Sequence, residues 1–145
     1  MKRYFFIGIG GSGMSALAQL SRKQGATVSG SDRNYDCGVD PELFGRLCHQ
    51  GISLFPQDGS GITEALDEVV VSAAVEEGNP DLRRAAELGL PVSSRSHFLA
   101  RIFNQSRGIA VAGSSGKSTI TAMAARIMDA AGLDPTVING AVIPE

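Results

Sequence analysis

The sequence predicts an α/β protein built on a doubly wound parallel sheet. Three observations predict it. Short apolar runs recur at 4–9, 26–30, 52–55, 68–72 and 90–92. Between them, apolar residues return at helical spacing, so strands and helices alternate. The first run opens into Gly8-Ile9-Gly10-Gly11-Ser12-Gly13, a G-x-G-x-x-G turn between a strand and a helix.

Tyr4, Phe5, Phe6, Ile7 and Ile9 read as the first, buried strand. In the turn, one glycine makes the bend, one lets the backbone approach a diphosphate, and one lets helix and strand pack closely. Met14, Leu17 and Ala18 then mark a helix, whose free N–H groups and positive dipole end face that anion. This places the turn Gly8–Gly13 and the start of the helix at the candidate diphosphate site. Gly25 caps the helix. Residues 26–30 form the second strand, ending at Ser31-Asp32-Arg33. Asp32 lies 19 residues after Gly13, where a carboxylate commonly accepts a hydrogen bond from a ribose or base.

Asn34–Val39 reads as a polar loop, and Asp40-Pro41 as a cap followed by proline at the first helical position. Leu43, Phe44, Leu47 and Cys48 form one face of that helix, and Gly51 ends it. The third strand is 52–55, stopped by Pro56. Asp58-Gly59-Ser60-Gly61 is a turn, and Ile62–Leu66 a short helix. The β-branched run Glu68–Ser72 reads as a fully buried central strand. Asn79-Pro80 repeats the cap-plus-proline signal, with Leu82, Ala85 and Ala86 facing inward. A short strand follows at 90–92, then a helix capped by Ser96 and carrying Phe98, Leu99, Ile102 and Phe103. Ligands of such sheets sit beyond the carboxyl ends of the strands. That edge gathers Gly8–Gly13, Asp32, Arg33, the loop after Phe55, and Ser72-Ala73-Ala74.

Asn104–Arg107 is a polar break, and a second unit starts there. Residues 108–112 read as a strand, 135–138 as another. Between them come Gly113-Ser114-Ser115-Gly116-Lys117-Ser118-Thr119 and an amphipathic helix through Ile120, Met123, Ala124, Ile127, Met128 and Ala131. This is the geometry of a triphosphate loop. Backbone N–H groups wrap the phosphates, Lys117 brings a cation to them, and Ser118 offers its hydroxyl to Mg²⁺. The full pattern G-x-x-x-x-G-K-[ST] has glycine where Val111 stands, so this is a shorter variant.

At 145 residues, 43% hydrophobic and 19% charged, the chain is long and apolar enough for a packed core. A net charge of −2 gives no reason to expect nucleic acid or an anionic membrane as partner. Cys37 and Cys48 make no disulfide framework, and no Cys/His cluster suggests a metal. His49 and His97 read as surface residues. Charge and glycine interrupt the apolar run after Lys2 and Arg3, which is neither a leader nor a membrane span, so a cytoplasmic location is the default.

Two phosphate loops in series now have one explanation. The chain resembles the N-terminal part of the Mur ligase family, the ATP-dependent amide-forming enzymes of peptidoglycan precursor synthesis. The resemblance rests on Gly8–Ser15, Ser29–Asp32, Val70–Ala74 with Asn79-Pro80, Ile109–Gly113, Gly116–Thr119, and Leu133–Thr136 with Asn139-Gly140. It implies a Rossmann-like UDP-sugar domain over 1–104 and the opening strand–loop–helix–strand of a truncated ATP-binding domain over 105–145. It implies that Gly10–Ser15, Asp32, Arg33 and Ser72 hold a UDP-N-acetylmuramate-like substrate. ATP would lie on Gly113–Thr119, with Lys117 catalytic and Ser118 on Mg²⁺. The family forms an acyl phosphate on the sugar's carboxylate, which an amino acid's amine then attacks. Two positions depart from the family pattern: Ser114-Ser115 replace Thr-His and Ser118 a threonine in the second loop, and Asp58 stands where a histidine is usual. The 145-residue chain alone is expected to be inactive, with weak ATP binding and an apolar second unit that packs on the first domain or on a second copy. A nicotinamide dehydrogenase domain shares the first glycine motif but leaves the second unexplained. A non-catalytic nucleotide-binding module, or a paralogue for another UDP-sugar or amino acid, is the remaining alternative.

Overall fold

The computed structural model describes residues 1–139, in two compact units. The first, Met1–Ile102, holds a five-stranded sheet. Its strands are β1 (Arg3–Ile7), β2 (Thr27–Ser31), β3 (Ser53–Phe55), β4 (Glu68–Val71) and β5 (Val92–Ser94). They run in the order β3-β2-β1-β4-β5, and every pairing is parallel. The helices are α1 (Ser12–Lys23), α2 (Arg33–Asp36), α3 (Pro41–His49), α4 (Pro80–Glu87) and α5 (Arg95–Asn104).

The order follows from burial. β1 is central, with Phe5, Phe6 and Ile7 fully buried, so it takes a strand on each side. On one face Phe5 and Ile7 pack with Ile62, Val69 and Ala85. On the other, Phe98 of α5 meets the rings of Tyr4 and Phe6 edge-on, at centroid distances of 5.1 and 5.5 Å. Arg101 of α5 lies 5.0 Å over the Phe98 ring and binds the buried Glu68 of β4 at 2.6 Å. α1 buries Met14, Leu17, Ala18 and Ser21, the i, i+3, i+4, i+7 stripe of an amphipathic helix.

Both cap-plus-proline signals act as read. The Asp40 carboxylate accepts from Leu43 N, and the Asn79 amide oxygen from Asp81 N and Leu82 N. Several expectations are corrected. Residues 33–36 form α2, because the Asp32 side chain caps it through Asn34 N. Ile62–Leu66 is not helical; Ile62 drops into the core from a turn. The last strand lies at 92–94, since Pro91 has no N–H to give the ladder and offers only its carbonyl, to Val69 N. Ser94, not Ser96, caps α5, its hydroxyl accepting from His97 N. Cys48 is exposed beside the buried Leu47, and His49 and His97 are exposed. Asp81, not Ala86, takes the inward place on α4.

Asp81 is fully buried. Its carboxylate accepts from Ser31 Oγ at 2.5 Å and from Gly59 N at 2.7 Å, tying the end of β2 to the loop after β3. Burial raises its pKa above the ordinary value, against the lowering pull of those two hydrogen bonds.

The second unit begins at Phe103. It contains α6 (Lys117–Ala130). The expected strands at 108–112 and 135–138 do not form; both segments lack strand pairing. A strand is defined by its ladder partners, which neither segment finds among the described residues. No residue of α6 is buried, and Ile120, Met123 and Ile127 stand exposed. Gly140 lies outside the described residues.

Replacing Asp81 with alanine strands the Ser31 hydroxyl and the Gly59 N–H, and is expected to lower the unfolding free energy by about 2–3 kcal/mol. Asp81→Asn keeps an acceptor and is expected to cost less. The raised carboxyl stabilises the fold fully below its ordinary pKa of 3.8 and loses that contribution as pH rises through its folded value. The stability of the natural protein relative to Asp81→Asn should therefore increase on acidification from neutral pH, as read by urea titration.

Candidate functional site

The carboxyl ends of β1, β2, β4 and β5 converge on the first glycine turn. The register aligns Ile7 with Ser31 and with Val71, and Val71 with Ser94, so Gly8, Asp32, Ser72 and Arg95 all follow directly at one edge. Gly8 makes the bend at φ 78°, which side chains disfavour. Gly8 N and Ile9 N both donate to Ser31 O, at 2.8 and 3.1 Å. Ser72 approaches the same point: its N–H donates to Ile7 O, and its Cβ lies 3.1 Å from where a Gly8 side chain would start.

Asp32 is buried, and both carboxylate oxygens serve the backbone. Oδ2 accepts from Gly10 N and Oδ1 from Asn34 N, each at 2.8 Å. The acid expected to meet the ligand thus first fixes the turn. Gly10 is needed for that approach: a Cβ there would stand 2.9 Å from both Asp32 Oδ2 and the Phe44 ring. Gly11 caps α1 without a side chain, and the first helical N–H groups, of Ser12 and Gly13, have no acceptor four residues back within the helix. Met14 is in the core, and the Ser15 hydroxyl turns to Ser12 O. Those two side chains therefore face the protein. Arg33 is exposed and reaches Glu76 at 3.5 Å.

Two features escaped the sequence reading. One is the Ser31–Asp81 tie beneath the turn. The other is Arg95, the first residue of α5, whose guanidinium lies over Gly13. The position of Arg95 directly after the last strand, at the ligand edge of a parallel sheet, was the available signal. Asp58 sits in a turn and accepts from Ser60 N at 2.9 Å; hydrogen bonds to Ser60 hold its pKa below the ordinary value. It lines a shallow surface depression with Gly59, Pro80, Arg83, Arg84 and Glu87.

In the second unit the loop closes on its own lysine. Lys117 Nζ donates to Gly113 O at 2.5 Å and to Ser114 O at 3.2 Å. Gly116, at φ 75°, turns the chain into α6, whose first residues are Lys117 and Ser118. A Cβ on Gly113 or Gly116 would meet no atom closer than 3.5 Å, so the loop backbone is open to a ligand. An open loop, a helix N-terminus and one lysine fit the phosphate end of a nucleotide. Among the described residues no group of three or more His, Cys, Asp or Glu could hold a metal ion, and no helix is long and apolar enough to cross a membrane.

The family described as "Mur ligase family, catalytic domain" matches residues 3–107. The chain belongs to the Mur ligase family. It is similar to the UDP-N-acetylmuramate–L-alanine ligase of Methylorubrum extorquens, 44% identical over 138 residues, 95% of this chain and 28% of that protein. Among solved structures it resembles UDP-N-acetylmuramate:L-alanyl-γ-D-glutamyl-meso-diaminopimelate ligase from Neisseria meningitides, with TM-score 0.85 and 30% identity over 98% of this chain and 44% of that one. It also resembles UDP-N-acetylmuramate-alanine ligase from Thermotoga maritima, with TM-score 0.77 and 31% identity over 89% of this chain and 29% of that one. The chain thus spans under a third of the length of the curated relatives it matches. The Mur ligase match covers the whole first glycine turn and ends at 107, before the second loop.

Substituting Gly10 with alanine forces Asp32 and Phe44 apart. It is expected to cost about 1–3 kcal/mol of stability, measured by denaturant unfolding, and to weaken any ligand held by the turn.

Proposed function

We propose that this chain is the UDP-N-acetylmuramate-binding part of a Mur ligase, with residues 105–145 opening its ATP-binding domain. The observation that carries this is the turn at Gly8–Gly13. Its N–H groups and the N-terminus of α1 are presented at the carboxyl edge of the sheet, pinned there by Ser31 O and Asp32. The relatives named above support the ligand. Their acceptors differ between alanine and a tripeptide, but every name carries UDP-N-acetylmuramate.

In this reading the N–H groups of Ser12 and Gly13 bind the diphosphate, and Ser72 stands beside them with a hydroxyl. Each Asp32 oxygen keeps one lone pair for the nucleoside, and Arg33 borders it. ATP with Mg²⁺ supplies the phosphoryl group that activates the sugar's carboxylate for amide formation. Lys117 leaves the Gly113 and Ser114 carbonyls to meet the phosphates, and Ser118 offers its hydroxyl to the ion. L-Alanine is the acceptor in most of the relatives considered, and the reaction belongs to the cytoplasm, where such precursors are made. The exposed face of α6, through Ile120, Met123 and Ile127, is assigned to a second copy when this chain is alone.

Calorimetric titration with UDP-N-acetylmuramate is expected to show one site per chain, and titration with NADH none; the reverse result would favour a dehydrogenase domain. Lys117→Ala should leave that binding intact while removing any ATP binding. The chain alone should release no phosphate from ATP with UDP-N-acetylmuramate and L-alanine, and turnover would refute that. Light scattering should give twice the 15.1 kDa chain mass, a monomer excluding the assignment of the α6 face.

A further inference from the structure

Arg95 is exposed and reaches across from the end of one strand to the helix that follows another. It is the first residue of α5, and its guanidinium lies over Gly13 in the first turn of α1. A Cβ built on Gly13 would overlap that group, with Arg95 Cζ at 3.2 Å and Cδ at 3.3 Å. The exposed cation therefore stands beside the first turn, the positive end, of α1. Neither helix has an acidic residue in its first turn. Among the described residues, the four ion pairs use Lys2, Arg33, Arg84 and Arg101, and none involves Arg95. A positive side chain at a helix N-terminus is unfavourable, and the opposite sign is what that position stabilises. An anion placed between them reverses the sign of every interaction: it meets the Ser12 and Gly13 N–H groups on one side and a five-donor guanidinium on the other.

We propose that Arg95 is a phosphate-binding residue of the UDP-sugar site, closing over a diphosphate held at the N-terminus of α1. The inference rests on the reading of that turn as the UDP-sugar site, and adds a side chain to what was a backbone cradle. It also adds to the part played by the third glycine of the motif. Without a side chain, Gly13 leaves the guanidinium room beside the first turn of α1. The two halves of the sheet then both contribute, α1 following β1 and Arg95 following β5.

The test uses the whole 145-residue chain and its Arg95→Gln and Arg95→Lys variants, titrated calorimetrically with UDP-N-acetylmuramate and, separately, with inorganic pyrophosphate. Arg95→Gln is expected to weaken both by roughly 10- to 100-fold, the range for charge-assisted hydrogen bonds, and Arg95→Lys to recover part of the loss. Without ligand, Arg95→Gln should unfold at the same temperature as the natural protein or higher, because an unfavourable charge has been removed. Unchanged affinities would overturn the proposal, as would a loss of binding matched by a loss of ligand-free stability. If the natural protein binds no UDP-N-acetylmuramate, the reading of the site fails. Arg95 is then judged on pyrophosphate alone: binding that depends on it supports the assignment, and binding that is absent or indifferent to it overturns the assignment.

Discussion

The end of β2 holds the candidate site together. Ser31 O takes the N–H groups of Gly8 and Ile9, and the Asp32 carboxylate takes that of Gly10. Three successive N–H groups of the glycine turn are thereby fixed to the end of the neighbouring strand. Asp32 is buried between its two backbone donors, and charge-assisted hydrogen bonds of this kind are among the stronger ones available. Below them the buried Asp81 anchors Ser31 itself. A chain of carboxylate contacts thus runs from α4 through β2 to the turn, and sets where the first N–H groups of α1 point.

The same edge shows how a parallel sheet concentrates function. Strand order β3-β2-β1-β4-β5 places the reversal of winding beside β1. Segments distant in sequence arrive there because each follows the carboxyl end of a strand: Gly8, Asp32, Ser72 and Arg95. Their chemistry is unequal. The turn and α1 offer donors, and Arg95 adds charge. Asp32 spends much of its capacity on structure.

The second unit obeys the opposite rule. Its helix forms from local hydrogen bonds, and the glycine loop folds back to satisfy Lys117. Its expected strands do not form, although Ile109, Ala110 and Val111 have the composition for one. Strand propensity records how well a residue suits a pleated neighbour, and without a neighbour it fixes little.

Much of the fold was legible in the residues. Phe5, Phe6 and Ile7 announced a buried strand, the β-branched run after Glu68 another, the Met14–Leu17–Ala18 stripe a helix, and Asp40-Pro41 and Asn79-Pro80 two helix starts. These are local signals, carried by side-chain spacing and by groups that bond within four residues. The glycine motif likewise announced a tight strand-to-helix turn, because its requirements are those of the backbone. What the sequence could not show was which polar side chains face one another across the sheet edge. Asp32, read as a ligand contact, also holds the turn through Gly10 N and Asn34 N. Ser31 with Asp81, and Gly13 with Arg95, are 50 and 82 positions apart. No periodicity links such residues; only the packing of strands and helices brings them within reach, and the energy of each contact exists only once that packing is made.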